Sequence, residues 1–139
     1  MSRRVDNWQI ILASELAKPR MFSWGSNDCC TFACDIIEAL TGIDPAKTFR
    51  GKYDSAIGCF KEIKRQGYAG VDDAATTLFE SYGFKTIPVL MAQRGDVVLT
   101  NIDDNETLGV MSDAGAMFIS FGGYVLVNPS EMQKAWRID

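Results

Sequence analysis

Four cysteines and no histidine set the chemistry open to this chain of 139 residues. Without an imidazole, an internal Ser-His-Asp or Cys-His site is excluded, and so is any histidine metal ligand. Cys29, Cys30 and Cys34 lie within six residues, and Cys59 stands apart. That spacing suits neither a disulfide framework nor a four-thiolate metal site, because Cys29 and Cys30 point about 100° apart on a helix. The expectation is reduced thiols, no metal and no cofactor.

Cys29 is the thiol whose position carries chemistry. Cys29, Phe32, Ala33, Ile36, Ile37 and Leu40 recur at helical spacing and make one apolar stripe. Asn27 or Asp28 can cap the start of this helix, and Gly42 follows its end. A thiol in the first turn meets amides without intrahelical partners and the positive end of the helix dipole, both of which favour a thiolate. The Cys29 and Cys30 amides are also candidates to hold an oxyanion. The same spacing equally suits a small buried hydrophobe.

The remaining pattern supplies the elements that would position such a thiol. Trp8, Ile11, Leu12 and Leu16 predict a first helix ended by Pro19. Further helices are predicted from Asp54 to Gln66, stopped by Gly67, and from Asp72 to Tyr82, stopped by Gly83. After Pro88 the pattern turns to strands: Val97 to Thr100, Leu108 to Met111, Met117 to Ser120 and Tyr124 to Val127, with Trp136 to Ile138 as a terminal edge strand. Asp103-Asp104-Asn105, Asp113-Ala114-Gly115 and Gly122-Gly123 supply the turns. Helices first and antiparallel strands later imply one α+β domain over residues 1–139, with N-terminal helices packed on a C-terminal antiparallel sheet.

Composition narrows the partners. Fourteen Lys and Arg against eighteen Asp and Glu leave a net charge of −4, which argues against a binder of duplex nucleic acid. No apolar run approaches the roughly 18 residues of a membrane span, and the first residues lack an apolar signal core. The expectation is synthesis in the cytosol, with no membrane span.

Phe22-Ser23-Trp24-Gly25-Ser26-Asn27-Asp28-Cys29-Cys30-Thr31-Phe32 resembles the nucleophile segment of the NlpC-type, papain-like cysteine peptidases that act on cell walls. Arg94 to Val98 resembles that family's Gly-Asp-Leu-Val strand, and Thr107 to Met111 its His-Val-Gly-Ile-Tyr strand. The pieces Trp24 to Cys29, Thr41 to Asp44, Arg50 to Tyr53, Gly95 to Val98 and Ala135 to Arg137 are similar to those of small phage and prophage proteins. The resemblance implies a papain-like fold with Cys29 in the nucleophile position, facing the strand that holds Leu108 to Met111. It places Phe22, Trp24, Asp28 and Cys30 at the binding cleft and the family's base at Thr107, with the orienting polar group near Ile119. Thr107 cannot take a proton near neutrality and Ile119 is apolar, so the resemblance implies a peptidase frame without its base. The implied role is a virion component, in tail assembly or at the tail tip, that binds a partner protein or a cell-wall peptide.

Two other readings stay open. Cys29 could serve a hydrolase or acyltransferase whose base is a carboxylate or comes from another chain. The acidic chain could also be an immunity or inhibitor module. Asp103, Asp104, Glu106 and Asp113 flank the strand of the missing base and are the carboxylates to weigh, although a solvated hairpin explains them as well.

Overall fold

The computed structural model describes residues 2–139. Among these, four α-helices precede the main sheet: α1 (Trp8–Ala17), α2 (Cys29–Thr41), α3 (Ala56–Arg65) and α4 (Val71–Ser81). Two of the boundaries show a local cause. Ser55 caps α3 by accepting from Gly58 N at 2.9 Å, so the helix begins at Ala56 rather than at Asp54. α2 ends at Gly42, whose φ of 79° only glycine adopts without strain and whose N–H closes on Glu38 O.

Six strands follow: β1 (Thr86–Ile87), β2 (Val97–Ile102), β3 (Asn105–Ser112), β4 (Gly115–Ser120), β5 (Gly123–Val127) and β6 (Lys134–Trp136). They form one antiparallel sheet in the order β1-β6-β2-β3-β4-β5. The α+β class expected from the sequence is therefore the class observed. The terminal strand is not an edge, however. β6 lies between β1 and β2, and the unpredicted pair Thr86–Ile87 takes the edge. The cause is burial on both faces: Trp136 enters the helix-side core while Ala135 enters the cluster on the opposite side.

The sheet has two covered faces. Toward the helices, Phe32, Ile36, Ile37 and Leu40 of α2 pack with Leu99, Leu108, Val110, Ile119 and Trp136. Each such side chain contributes about 1.5–3 kcal/mol when fully buried. On the other face Val98, Ala116, Phe118, Met132 and Ala135 form a smaller cluster, roofed by short 3-10 turns at Val89–Met91 and Pro129–Glu131. This explains why β2 reads Val-Val-Leu-Thr without alternation, since all four residues are buried.

The chain ends are tied to the start of β2. The buried Asp96 carboxylate pairs with Arg4 and with Arg137, each at 3.0 Å, and accepts the N–H groups of Gln93 and Ile138. The Gly95–Val98 and Ala135–Arg137 motifs are thus two halves of one staple. No helix among the described residues is long and apolar enough to cross a membrane.

Candidate functional site: a thiol between a helix start and a strand edge

Asp28 builds the site. Its Oδ1 accepts from Cys30 N and Thr31 N, each at 3.0 Å, while Thr31 Oγ1 accepts from Asp28 N at 2.8 Å. This capping box sets Cys29 as the first helical residue, and of the two caps the sequence allows, Asp28 is the one used. The second carboxylate oxygen accepts from Gly25 N at 2.8 Å and from the Tyr53 hydroxyl at 2.6 Å. Gly51 N donates to Gly25 O at 2.9 Å, so the loop is held from both sides. A Cβ at Gly25 would stand 2.2 Å from Tyr53 O, and φ there is +85°, so no other residue fits.

The motif pieces from Thr41 to Tyr53 serve the same clamp. Arg50 pairs with Asp44 and with Asp35, both at 2.8 Å, and fixes the loop that presents Tyr53 to Asp28. Burial raises the Tyr53 phenol above its ordinary range, with the Asp28 charge acting in the same direction, so Tyr53 stays a donor.

The Cys29 sulfur faces β3. Met111 N donates across to Asp96 O on the β2 side. By alternation along an antiparallel strand, the Leu108 and Val110 amides point the other way, toward β4. β3–β4 pairing ends at Val110↔Met117, which leaves the Leu108 N–H beyond the end of the ladder. The Cys29 sulfur lies against this stretch of β3, where the Leu108 N–H favours its thiolate, and the Cys30 thiol lies 3.8 Å from the Cys29 thiol, sulfur to sulfur.

These contacts separate the two thiols. The Cys30 hydrogen bond lowers the pKa of Cys29, burial opposes it, the Leu108 N–H lowers it further, and the Asp28 charge raises it. The result is a Cys29 thiol below its ordinary value. Cys30 is driven well above its own, first by serving as that donor and then by burial. The helix start and the strand amide both act on Cys29, which gives the pair its asymmetry. Cys34 is raised by burial, and burial pushes Cys59 up to about 12.

Several expected positions fall elsewhere. Thr107 pairs with Thr100, whose Oγ1 donates to Glu131 O on the far side of the sheet, whereas Leu108 joins the helix-side core. Thr107 therefore lies on the face opposite Cys29, and its hydroxyl donates to Asn105 O at 3.0 Å. The Cys30 amide, expected near an oxyanion, is committed to Asp28. Glu106 accepts from Asp72 N at 3.2 Å at the start of α4, and Asp113 pairs with Arg94 at 3.3 Å. Asp103 and Asp104 occupy the exposed β2–β3 turn with φ of 51° and 64°. Ile119 is core.

Phe22 and Trp24 do come together, edge to face at 4.9 Å between centroids. Phe121, at the β4–β5 turn and 80% exposed, joins them at 4.4 Å from Phe22 and 6.3 Å from Trp24. Sequence reasoning missed Phe121, Tyr53 and the Leu108 amide. The Arg50–Tyr53 motif was the signal for Tyr53; nothing local marks the other two. Beneath Cys30 and Leu108 lies an apolar cavity of about 40 Å³, with Cys34, Tyr53, Cys59 and Ala75 also in its wall. Among the described residues no group of three or more Cys, Asp or Glu side chains is placed to hold a metal ion.

The fold and site define an α+β protein with a helix-start thiol against an antiparallel sheet. The chain belongs to the family described as Domain of unknown function (DUF6950), which matches residues 3–138. No curated protein and no solved structure matches it.

Proposed function

We infer that this protein is a papain-like domain of the NlpC type that keeps the helix-borne thiol, has lost the acid–base partner, and binds peptide without cleaving it. The observation that carries the reading is the surroundings of the Cys29 sulfur: a thiol, a strand amide and the Asp28 carboxylate, with Thr107 turned to the other face. None of these protonates a leaving amine near neutrality. The Cys30 thiol is held too high, and the Asp28 carboxylate accepts the Gly25, Cys30 and Thr31 amides and the Tyr53 hydroxyl. Loss of general acid–base help costs typically ~10²–10⁴-fold in rate. Beside the thiol's loop, the half-buried Phe22 and Trp24 and the exposed Phe121 form an aromatic cluster of the kind that anchors peptides.

The likeness of the motif pieces to small phage and prophage proteins supports a virion role, in tail assembly or at the tail tip, with a tail protein or a cell-wall peptide as the bound partner. The test is calorimetric titration of purified protein with cell-wall muropeptides and with peptides of phage tail proteins, each mixture then analysed by mass spectrometry. Binding that Trp24→Ala weakens, with no cleavage, supports the reading. Turnover abolished by Cys29→Ala would replace it with a cysteine hydrolase whose base is a carboxylate or comes from another chain. An absence of binding to every one of these peptides would remove the peptide-binding role.

A further inference from the structure

We propose that the open edge of β5 takes an extended, basic peptide as an added strand, with one apolar side chain of that peptide on the Phe22–Trp24–Phe121 cluster. The inference rests on the peptide-binding reading and gives it a place and a mode of bonding. It does not involve the Cys29 thiol.

Backbone groups define the edge. β5 pairs with β4 alone and ends the sheet. The Val110 amide points toward β4, so Val110 and Met117 exchange the hydrogen bonds of their pair. One residue further along β4, Phe118 therefore bonds to the other side, through Val125 of β5. Tyr124 and Leu126 then turn their N–H and C=O groups outward, two donors and two acceptors in alternation. No backbone group elsewhere among the described residues pairs with them.

Nothing within β5 closes this edge. Exposed edges are commonly blunted by shortness, charge, proline or a bulge. At the opposite edge of the sheet β1 is only two residues long. β5 reads Gly-Tyr-Val-Leu-Val, with no charge and no proline, and its register with β4 is unbroken from Gly123 to Val127. Val125 is 42% and Leu126 52% exposed, so both faces of the sheet keep an apolar side chain in solvent along this edge.

Size and charge choose the occupant. A strand of this length spans about 17 Å, and a sheet edge is about 10 Å thick, which gives about 170 Å². Phe121 at the β4–β5 turn, with Phe22 and Trp24 against it, extends this area at one end. A ring side chain adds about 150–250 Å². The whole stays well short of the roughly 800 Å² per partner that a stable complex of two folded chains takes. A single extended segment needs no more, because its main chain bonds to the edge and one side chain fills the cluster. β5 carries no charge of its own while the chain carries −4, which favours a basic segment.

The experiment is fluorescence anisotropy of a short labelled peptide titrated with the full chain. The probe alternates lysine with valine, a phenylalanine replacing the central valine. Methylating its backbone nitrogens one at a time should weaken binding about three- to tenfold at every second position and leave the positions between unchanged, since only alternate amides face the edge. Leu126→Pro removes one outward donor and leaves the β4 ladder intact, so it should bind the probe more weakly than Leu126→Val, with the fold of both checked by circular dichroism. Phe121→Ser should weaken the phenylalanine probe more than an all-valine one. The methylated probes need no variant and decide the matter should Leu126→Pro fail to fold. Binding without alternation along the probe overturns strand addition and leaves the peptide-binding reading standing. No binding of the probe, when muropeptides or tail peptides do bind, overturns the edge as the site; no binding of any of them overturns both readings. A dimer in sedimentation that Leu126→Pro dissolves assigns the edge to a second copy and overturns the proposal as well.

Discussion

Replacing Asp28 with asparagine separates the two things this carboxylate does. Asparagine is a good helix cap, so its Oδ1 keeps the bonds from Cys30 N and Thr31 N. Its amide nitrogen then stands where Oδ2 accepted from Gly25 N at 2.8 Å and from the Tyr53 hydroxyl at 2.6 Å. The Gly25 N–H faces a donor and is left unsatisfied, at a cost of about 1–3 kcal/mol. The Tyr53 hydroxyl can turn and accept, so there only the extra strength of a charged acceptor is lost, about 1 kcal/mol. The expected destabilisation is about 2–4 kcal/mol by urea unfolding. The thiol moves the opposite way. The Asp28 charge raises the Cys29 pKa, so removing it lowers that pKa further, and the inflection of iodoacetamide alkylation shifts to lower pH. A less stable protein with a more reactive thiol is the signature. Stability within about 0.5 kcal/mol of the parent would refute the Asp28 clamp on Gly25 and Tyr53. An inflection moving upward would show that Asp28 supports the thiolate, contrary to the electrostatics described.

Other perturbations have equally definite outcomes. Thr107→His should leave the pH profile of Cys29 alkylation unchanged, because position 107 faces the other side of the sheet; a shifted profile would return Thr107 to the cleft. Gly109→Ala places a methyl 2.6 Å from the ring of the buried Phe118 and 2.7 Å from Met117 O, and should cost about 1–3 kcal/mol in urea unfolding. Asp96→Ala leaves the buried Arg4 without its partner and should cost about 3–5 kcal/mol, with limited proteolysis beginning at the chain ends. Cys59, pushed up by burial, is a group whose folded pKa exceeds its unfolded one, so its contribution is complete below about pH 9 and is lost as pH rises toward about 12. Cys59→Ala should therefore lose less stability than the parent across that alkaline window, and equal losses would contradict its burial.

Interactions within a few residues were legible in the sequence. The apolar stripe of α2, its cap, the glycine that ends it and the separation of helices from strands follow from backbone hydrogen bonding and side-chain period, and the structure reproduces them. The apolar run from Val97 likewise marks a strand, but that both of its faces are covered is shown only by the packed chain. The placement of one strand against another was not legible, because it depends on which distant segments share a core. Trp136 and Ala135 draw the terminal strand into the middle of the sheet by burying opposite faces. Only the tertiary structure assigns Thr107 to one face and Leu108 to the other, since a strand has period two and a shift of one residue reverses every side chain. The same holds for the groups that define the thiol. The Leu108 amide is free because β3–β4 pairing stops at Val110, and Tyr53 reaches Asp28 because Arg50 holds the intervening loop. The nucleophile's position is a local property of a capped helix; its missing base and its neighbours are properties of the packed chain.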